Sequence, residues 1–255
     1  MKLTKYVQDL QVLTDKIKFV KPILRPLAKL YYSSLDKREK RRIEALKKAF
    51  LENGLKVLES FDQVMTANGY KYSLAFGTML GAVREHGFIS HDADIDVFMW
   101  IEDFDNRLIE ILTQSGFILK HTFIVDDGKC AREDTIEKDG VQIDIFYIYP
   151  ALEGRKYTYC CDFIPIDNCR SREQSLDKYG GLLPRRLEMP TSKELVRVPF
   201  ERLSLPILKN AHEFLSFRYG KDYMTPKPNW TNGENPYIVR WVEKKAIFIE
   251  YKGCQ

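Results

Sequence analysis

Asp92-Ala93-Asp94-Ile95-Asp96-Val97-Phe98-Met99-Trp100 is the stretch whose reading decides the fold. The run from Ile95 to Trp100 is β-branched, apolar and aromatic, which predicts a strand. Side chains alternate along a strand, so Asp94 and Asp96 fall on one face while Ile95 points into the core. Two carboxylates held that close repel each other. A cation relieves the repulsion, and oxygen-only donors suit Mg²⁺ or Mn²⁺ rather than zinc.

Downstream, Val141 to Tyr149 predicts a further strand in which a single acid, Asp144, interrupts a hydrophobic run. A buried ionised carboxylate needs a partner, and the same metal centre supplies one. Upstream, the aromatic-rich run from Tyr70 to Phe76 predicts a strand that ends at Gly77, followed by a short helix over 79–86. A strand that gives way to a helix at Gly77-Thr78 leaves backbone N–H groups open where glycine permits close approach, a turn suited to phosphate. Arg84, on that helix, is a candidate for neutralising phosphate or leaving-group charge; its alternative is a surface ion pair with Glu85. Asp92 reads either as support to the acidic pair or as a cap between helix and strand. His91 reads either as a headgroup contact or as a loop hydrogen bond.

The surrounding elements alternate irregularly. Residues 103–115 predict a helix closed by Gly116, the stretch from Pro150 to Pro206 weakens into loops and short pieces, and Asn210 is placed to cap a helix that ends at Tyr219-Gly220. This order fits an α/β (α+β) fold with a small mixed sheet better than a doubly wound domain, and no glycine-rich dinucleotide fingerprint follows a first strand.

The chain is 255 residues long with net charge +4, yet residues 1–50 hold 14 Lys/Arg against 5 Asp/Glu and carry +9, leaving −5 for the rest. The reading is a basic helical segment over 1–50 and one catalytic domain over 51–255. Apolar positions from Leu3 to Tyr31 recur at helical spacing, and Pro22 and Pro26 are expected to split this lead-in into short pieces. Such a basic amphipathic segment over 1–32 suits an anionic membrane surface. A helix from Ser33 or Ser34 to a stop at Asn68-Gly69 follows. No apolar stretch is long enough to span a bilayer and no cleavable leader is evident, so the expected location is cytoplasmic, peripheral on the inner face of the cell membrane. Five cysteines at irregular spacing (Cys130, Cys160, Cys161, Cys169, Cys254) argue against a disulfide framework, and the adjacent pair suits a zinc knuckle poorly.

The combined pattern resembles the LicD family of the nucleotidyltransferase superfamily, relatives of the fukutin proteins. It is carried by Phe76-Gly77-Thr78-Met79-Leu80-Gly81-Ala82-Val83-Arg84, Gly87-Phe88-Ile89, Asp92-Ala93-Asp94-Ile95-Asp96 and Ile143-Asp144-Ile145-Phe146. It returns in Leu205-Pro206-Ile207, Asn210, Phe214-Leu215, Arg218-Tyr219-Gly220 and Tyr223-Met224-Thr225-Pro226, so it covers about residues 55–230. The sequence departs from the family's pattern at Ser90-His91, where Pro-Trp is usual, and at Ala93, where the middle acid of the cluster is usual.

The resemblance implies a polymerase-β-like core with an Mg²⁺ or Mn²⁺ site. It also implies transfer of phosphocholine or a related phospho- or phosphono-substituent from a CDP- or CMP-linked donor to a glycan hydroxyl. The acceptor would be a cell-surface or capsular glycan or its lipid-linked precursor, with no nucleic acid partner. In that mechanism Asp94 and Asp96 hold the metal, Gly77-Thr78 cradles phosphate, and Asp144 binds a second ion or takes the acceptor's proton. Nucleotidyl transfer from an NTP and a non-catalytic scaffold are the alternatives. Trp230 and Tyr237 read either as flanks of a quaternary ammonium or as core packing.

Overall fold

The computed structural model describes residues 21–90, 92–169, 171–226 and 237–251. The chain divides into two compact units, Met1–Lys48 and Ala49–Gln255. The first helix among the described residues, α1, runs Lys21–Ala67. The expected break at Pro22 and Pro26 is therefore absent. A proline in the first turn deletes an N–H that has no helical partner there, which accounts for Pro22; Pro26 lies beyond that turn, and the helix continues through it. Most of the expected membrane-facing segment, residues 1–20, lies outside the described residues. Among the described residues no helix is long and apolar enough to cross a membrane.

Within the second unit α1 buries Phe50, Val57, Leu58, Phe61 and Met65, a stripe at helical spacing. It stops where the sequence predicts. Gly69 takes φ +76°, its N–H reaches Thr66 O, and Tyr70 N–H reaches Met65 O, the paired bonds of a Schellman end.

Next come β1 (Ser73–Leu74), α2 (Phe76–Arg84), β2 (Ile95–Trp100) and α3 (Asn106–Gln114), the last capped by Asp105 accepting from Leu108 N. Strands β3 (Ile118–Val125), β4 (Ala131–Lys138) and β5 (Val141–Ile148) follow. With a late strand, β11 (Ile247–Glu250), they form a mixed sheet in the order β1-β2-β5-β4-β3-β11. Only β2 and β5 run parallel within it; every other neighbouring pair is antiparallel. The strand predicted for Ile95–Trp100 forms over those residues, and the one predicted from Val141 ends at Ile148.

The region from Pro150 to Pro206 is more ordered than its sequence pattern indicates. It holds β6 (Thr158–Ile164), α4 (Arg172–Tyr179), β7 (Leu183–Met189), β8 (Leu195–Phe200) and β9 (Leu203–Leu208). Strands β6 and β7 pair with each other, and β10 (Ile238–Arg240) adds to β7. Their charges mask the pattern because they are neutralised across strands. Arg185 sits opposite Asp162 and binds it through two nitrogens at 2.8 and 2.5 Å, and Arg155, in the loop before β6, binds buried Glu188 of β7 through two nitrogens. Helix α5 (Ala211–Tyr219) ends at Gly220 as expected. Asn210 precedes it without capping it: its side-chain oxygen, the atom a cap would use, accepts from no helix N–H, while its amide nitrogen donates to Glu213 and the Pro190 carbonyl.

Candidate active site

The head of α2 and the start of β2 are tied together at one residue. Asp96 N–H donates to Thr78 Oγ1 at 3.0 Å, and Asp96 O accepts from Ala75 N–H at 2.9 Å. Thr78 is buried, so its hydroxyl pins the acid strand to the turn. The cap residue, Ala75, offers no side-chain acceptor to the first N–H groups of α2, which leaves them suited to an anion. Phe76 takes φ +37° as the chain enters the helix. A Cβ at Gly77 would stand 3.7 Å from Asp92 Oδ1, so this turn faces the acidic loop. Asp92 itself closes that loop, accepting from Ile89 N–H at 2.9 Å through Oδ2.

Parallel pairing of β2 with β5 sets Asp96 beside Asp144 as direct Cα partners. Ile95, Ile143 and Ile145 point to the other side and are fully buried, which is the parity the sequence predicts. Asp94, just ahead of β2, is exposed, whereas Asp96 and Asp144 are half-buried. The acids act on one another. Burial raises the Asp96 carboxyl well above its ordinary range, Asp94, Asp144 and Asp92 push it further, and Arg218 opposes them. Burial pushes Asp144 up to about 6; a hydrogen bond from Thr135 and the charge of Arg172 pull against this, while Asp94 adds to it. Surrounding protein atoms also raise Asp94, although its side chain opens to solvent.

Arg84 is not brought to these acids. It occupies the far end of α2, its side chain only 10% exposed, with Nε on Glu85 Oε1 at 2.8 Å and a second nitrogen on the Tyr223 carbonyl at 3.3 Å. The ion-pair alternative is the one observed. His91 lies outside the described residues, as does Trp230. Tyr237 is exposed, and its ring meets Phe217 and Tyr157 with centroids 4.6 and 5.4 Å away. Cys160 and Cys161 are buried neighbours on β6, and burial holds both thiols well above their ordinary range. Among the described residues no group of three His, Cys, Asp or Glu side chains converges as a metal site.

The family scan matches the LicD/FKTN/FKRP nucleotidyltransferase domain over residues 69–209, more than half of the chain. The chain belongs to that family. Among its relatives are the ribitol-5-phosphate transferases FKTN of Mus musculus, 30% identical over 196 residues, and of Homo sapiens, 25% identical over 199. Each alignment takes in 75% of this chain, and this chain spans 37% and 38% of those relatives' lengths. The lipopolysaccharide cholinephosphotransferase LicD of Haemophilus influenzae is 37% identical over 60 residues, which is 24% of this chain and 22% of that protein. The LicD/FKTN/FKRP match takes in Gly77, Thr78, the acidic cluster and Asp144, and stops just before the α5 motif that supplies Arg218.

Four residues around the acidic cluster escaped the sequence reading as members of the site. Arg218 lies with its guanidinium 5.4 Å from the Phe76 ring centroid and lowers the Asp96 carboxyl. Arg172, exposed at the start of α4, sits over the rings of Phe123 and Phe248 at 5.0 and 5.4 Å and acts on Asp144. Glu133, 8% exposed, feels Asp144, Asp162 and Asp96, and burial holds its carboxyl well above the usual range. Thr135 donates to Asp144 Oδ1 at 2.5 Å. The Arg218-Tyr219-Gly220 motif was the available signal for the first; Glu133 and Thr135 are revealed only by register, and Arg172 only by its packing.

Proposed function

We propose that this chain is a divalent-metal phosphotransferase that moves a substituted phosphoryl or phosphonyl group from a CDP-linked alcohol or a CMP-linked phosphonate to a glycan hydroxyl. The observation that carries the reading is the parallel register of Asp96 with Asp144 beside the uncapped head of α2. Like charges crowded this way are held apart from their preferred ionised state, and a hard cation removes that penalty. Asp94 and Asp96, with Asp144, supply oxygen donors only, which fits Mg²⁺ or Mn²⁺. The ion would neutralise donor phosphate charge when bound.

The protein's own part is positioning. The N–H groups around Gly77 and Thr78 receive phosphate oxygens, and Asp144 accepts the proton of the attacking hydroxyl or shares the ion. Arg218 offsets charge beside Asp96. Attack on the phosphorus bearing the transferred substituent forms the new P–O bond to the acceptor and breaks the P–O bond to CMP, which leaves. The sheet on which this happens is, in this reading, a polymerase-β-like nucleotidyltransferase core.

The relatives' names add ribitol 5-phosphate to phosphocholine, phosphoethanolamine, phosphoglycerol and aminoethylphosphonate as the group transferred. A surface or capsular glycan, or its lipid-linked precursor, is the acceptor class, and the basic segment over residues 1–32 would bring the domain to the cytoplasmic membrane face. A screen of CDP- and CMP-linked donors tests this. CMP release with a mass increase on the acceptor is expected, and pyrophosphate release from an NTP would replace this reading with nucleotidyl transfer.

A further inference from the structure

Thr135 connects the acidic row to a histidine two strands away. Its Oγ1 lies 2.5 Å from Asp144 Oδ1 and 3.0 Å from His121 Nε2. The three residues are direct cross-strand partners on β5, β4 and β3, so the backbone ladder itself sets their spacing. Thr135 is 2% exposed. The His121 ring is held against Phe123 and Phe248, with centroids 5.1 and 5.3 Å away.

Hydrogen counting gives this chain a direction. A threonine hydroxyl carries one hydrogen and two lone pairs. When Asp144 is ionised it can only accept, so Thr135 donates to it and must accept from His121. The His121 Nε2 then bears a hydrogen. The order is ring N–H to hydroxyl, then hydroxyl to carboxylate.

We infer that Thr135 and His121 are positioning residues for Asp144: Thr135, held by His121, occupies Oδ1, fixes the carboxylate's plane, and leaves Oδ2 as the oxygen offered to the reaction. The inference rests on the phosphotransferase reading of Asp144. Groups that orient a reacting carboxylate this way contribute through geometry, so their loss lowers turnover without weakening donor binding. A merely structural hydrogen bond would lower stability and leave kcat alone.

The test uses the full chain and whichever CDP-linked alcohol supports CMP release by the wild type. Thr135→Val is expected to lower kcat about tenfold to a hundredfold with the donor KM within about twofold, while Thr135→Ser, which restores the hydroxyl, stays within about threefold of wild type. Equal kcat for wild type and Thr135→Val, or a serine variant as slow as the valine one, would overturn the inference. The ¹⁵N spectrum of the imidazoles provides a readout that needs no turnover. A hydrogen on His121 Nε2 is expected, and a bare Nε2 at neutral pH overturns the inference even if Thr135→Val unfolds. If the wild type releases no CMP from any donor, the functional reading fails instead, and the ring spectrum decides the hydrogen-bond chain by itself.

Discussion

Two neighbouring rows cross the same face of the main sheet, and they could hardly differ more. One row runs Asp96, Asp144, Thr135, His121, Glu250 across β2, β5, β4, β3 and β11; the other, two residues along each strand, runs Phe98, Phe146, Glu133, Phe123, Phe248. The second row packs. Phe98 and Phe146 meet Phe76 with ring centroids 4.9 and 5.0 Å apart, and Phe98 also meets Phe214 at 5.5 Å. Asp96 in the first row cannot pack this way, because burial and the neighbouring Asp94 and Asp144 carboxylates raise its proton affinity. Alternation within a single sheet thus places a charged row at the head of α2 and braces it with an aromatic one. Phe76, in the turn that receives the acid strand, belongs to the brace.

The contrast can be broken from either side. Asp96→Asn is expected to lower turnover by roughly a thousandfold or more while leaving thermal stability of the metal-free protein equal or higher, because it removes a repelled charge; near-normal CMP release would refute the assignment. Phe98→Ala should do the opposite. Removing a buried ring costs about 3–5 kcal/mol, read by denaturant unfolding, and a loss below about 1 kcal/mol would mean that the aromatic row is not a brace.

A pH titration sharpens the distinction further. Asp144 is pushed up to about 6 in the folded chain against about 3.9 when unfolded. A folded state that holds its proton more tightly than the unfolded state loses stability as pH rises between those values. The metal-free protein should therefore become less stable from about pH 4 to pH 6, and Asp144→Asn should flatten that slope. An unchanged slope in the variant would show that Asp144 is not the group responsible. The smallest effect belongs to Arg84. Its guanidinium is engaged by Glu85 and the Tyr223 carbonyl, so Arg84→Gln should change kcat by less than about threefold. A drop of a hundredfold would return it to the chemistry.

The acidic row was legible in part because strand parity is local. Asp94 and Asp96 around buried Ile95, and Asp144 among apolar neighbours, follow from alternation along one segment. Which strand lies beside which does not. The parallel seating of β5 against β2 is fixed by packing over long sequence separation, and only that register brings Asp144 to Asp96, Thr135 to Asp144, and His121 to Thr135. The strands after Pro150 were hidden for a related reason: Arg185 and Asp162 look like loop charges until each is seen to be the other's cross-strand partner. Arg84 misled because helical position after the phosphate turn says nothing about which way a long side chain reaches. It points to Glu85 and Tyr223, while Arg218 acts on Asp96 from α5.

The most direct test of the acidic row is a Mn²⁺ titration of the wild-type chain and of Asp96→Asn, followed by the loss of free Mn²⁺ paramagnetic signal. The account predicts saturable binding by the wild type that strengthens as pH rises through about 6, and binding weakened at least about tenfold in the variant. Equal affinity in the two proteins, or no binding by the wild type, would contradict it.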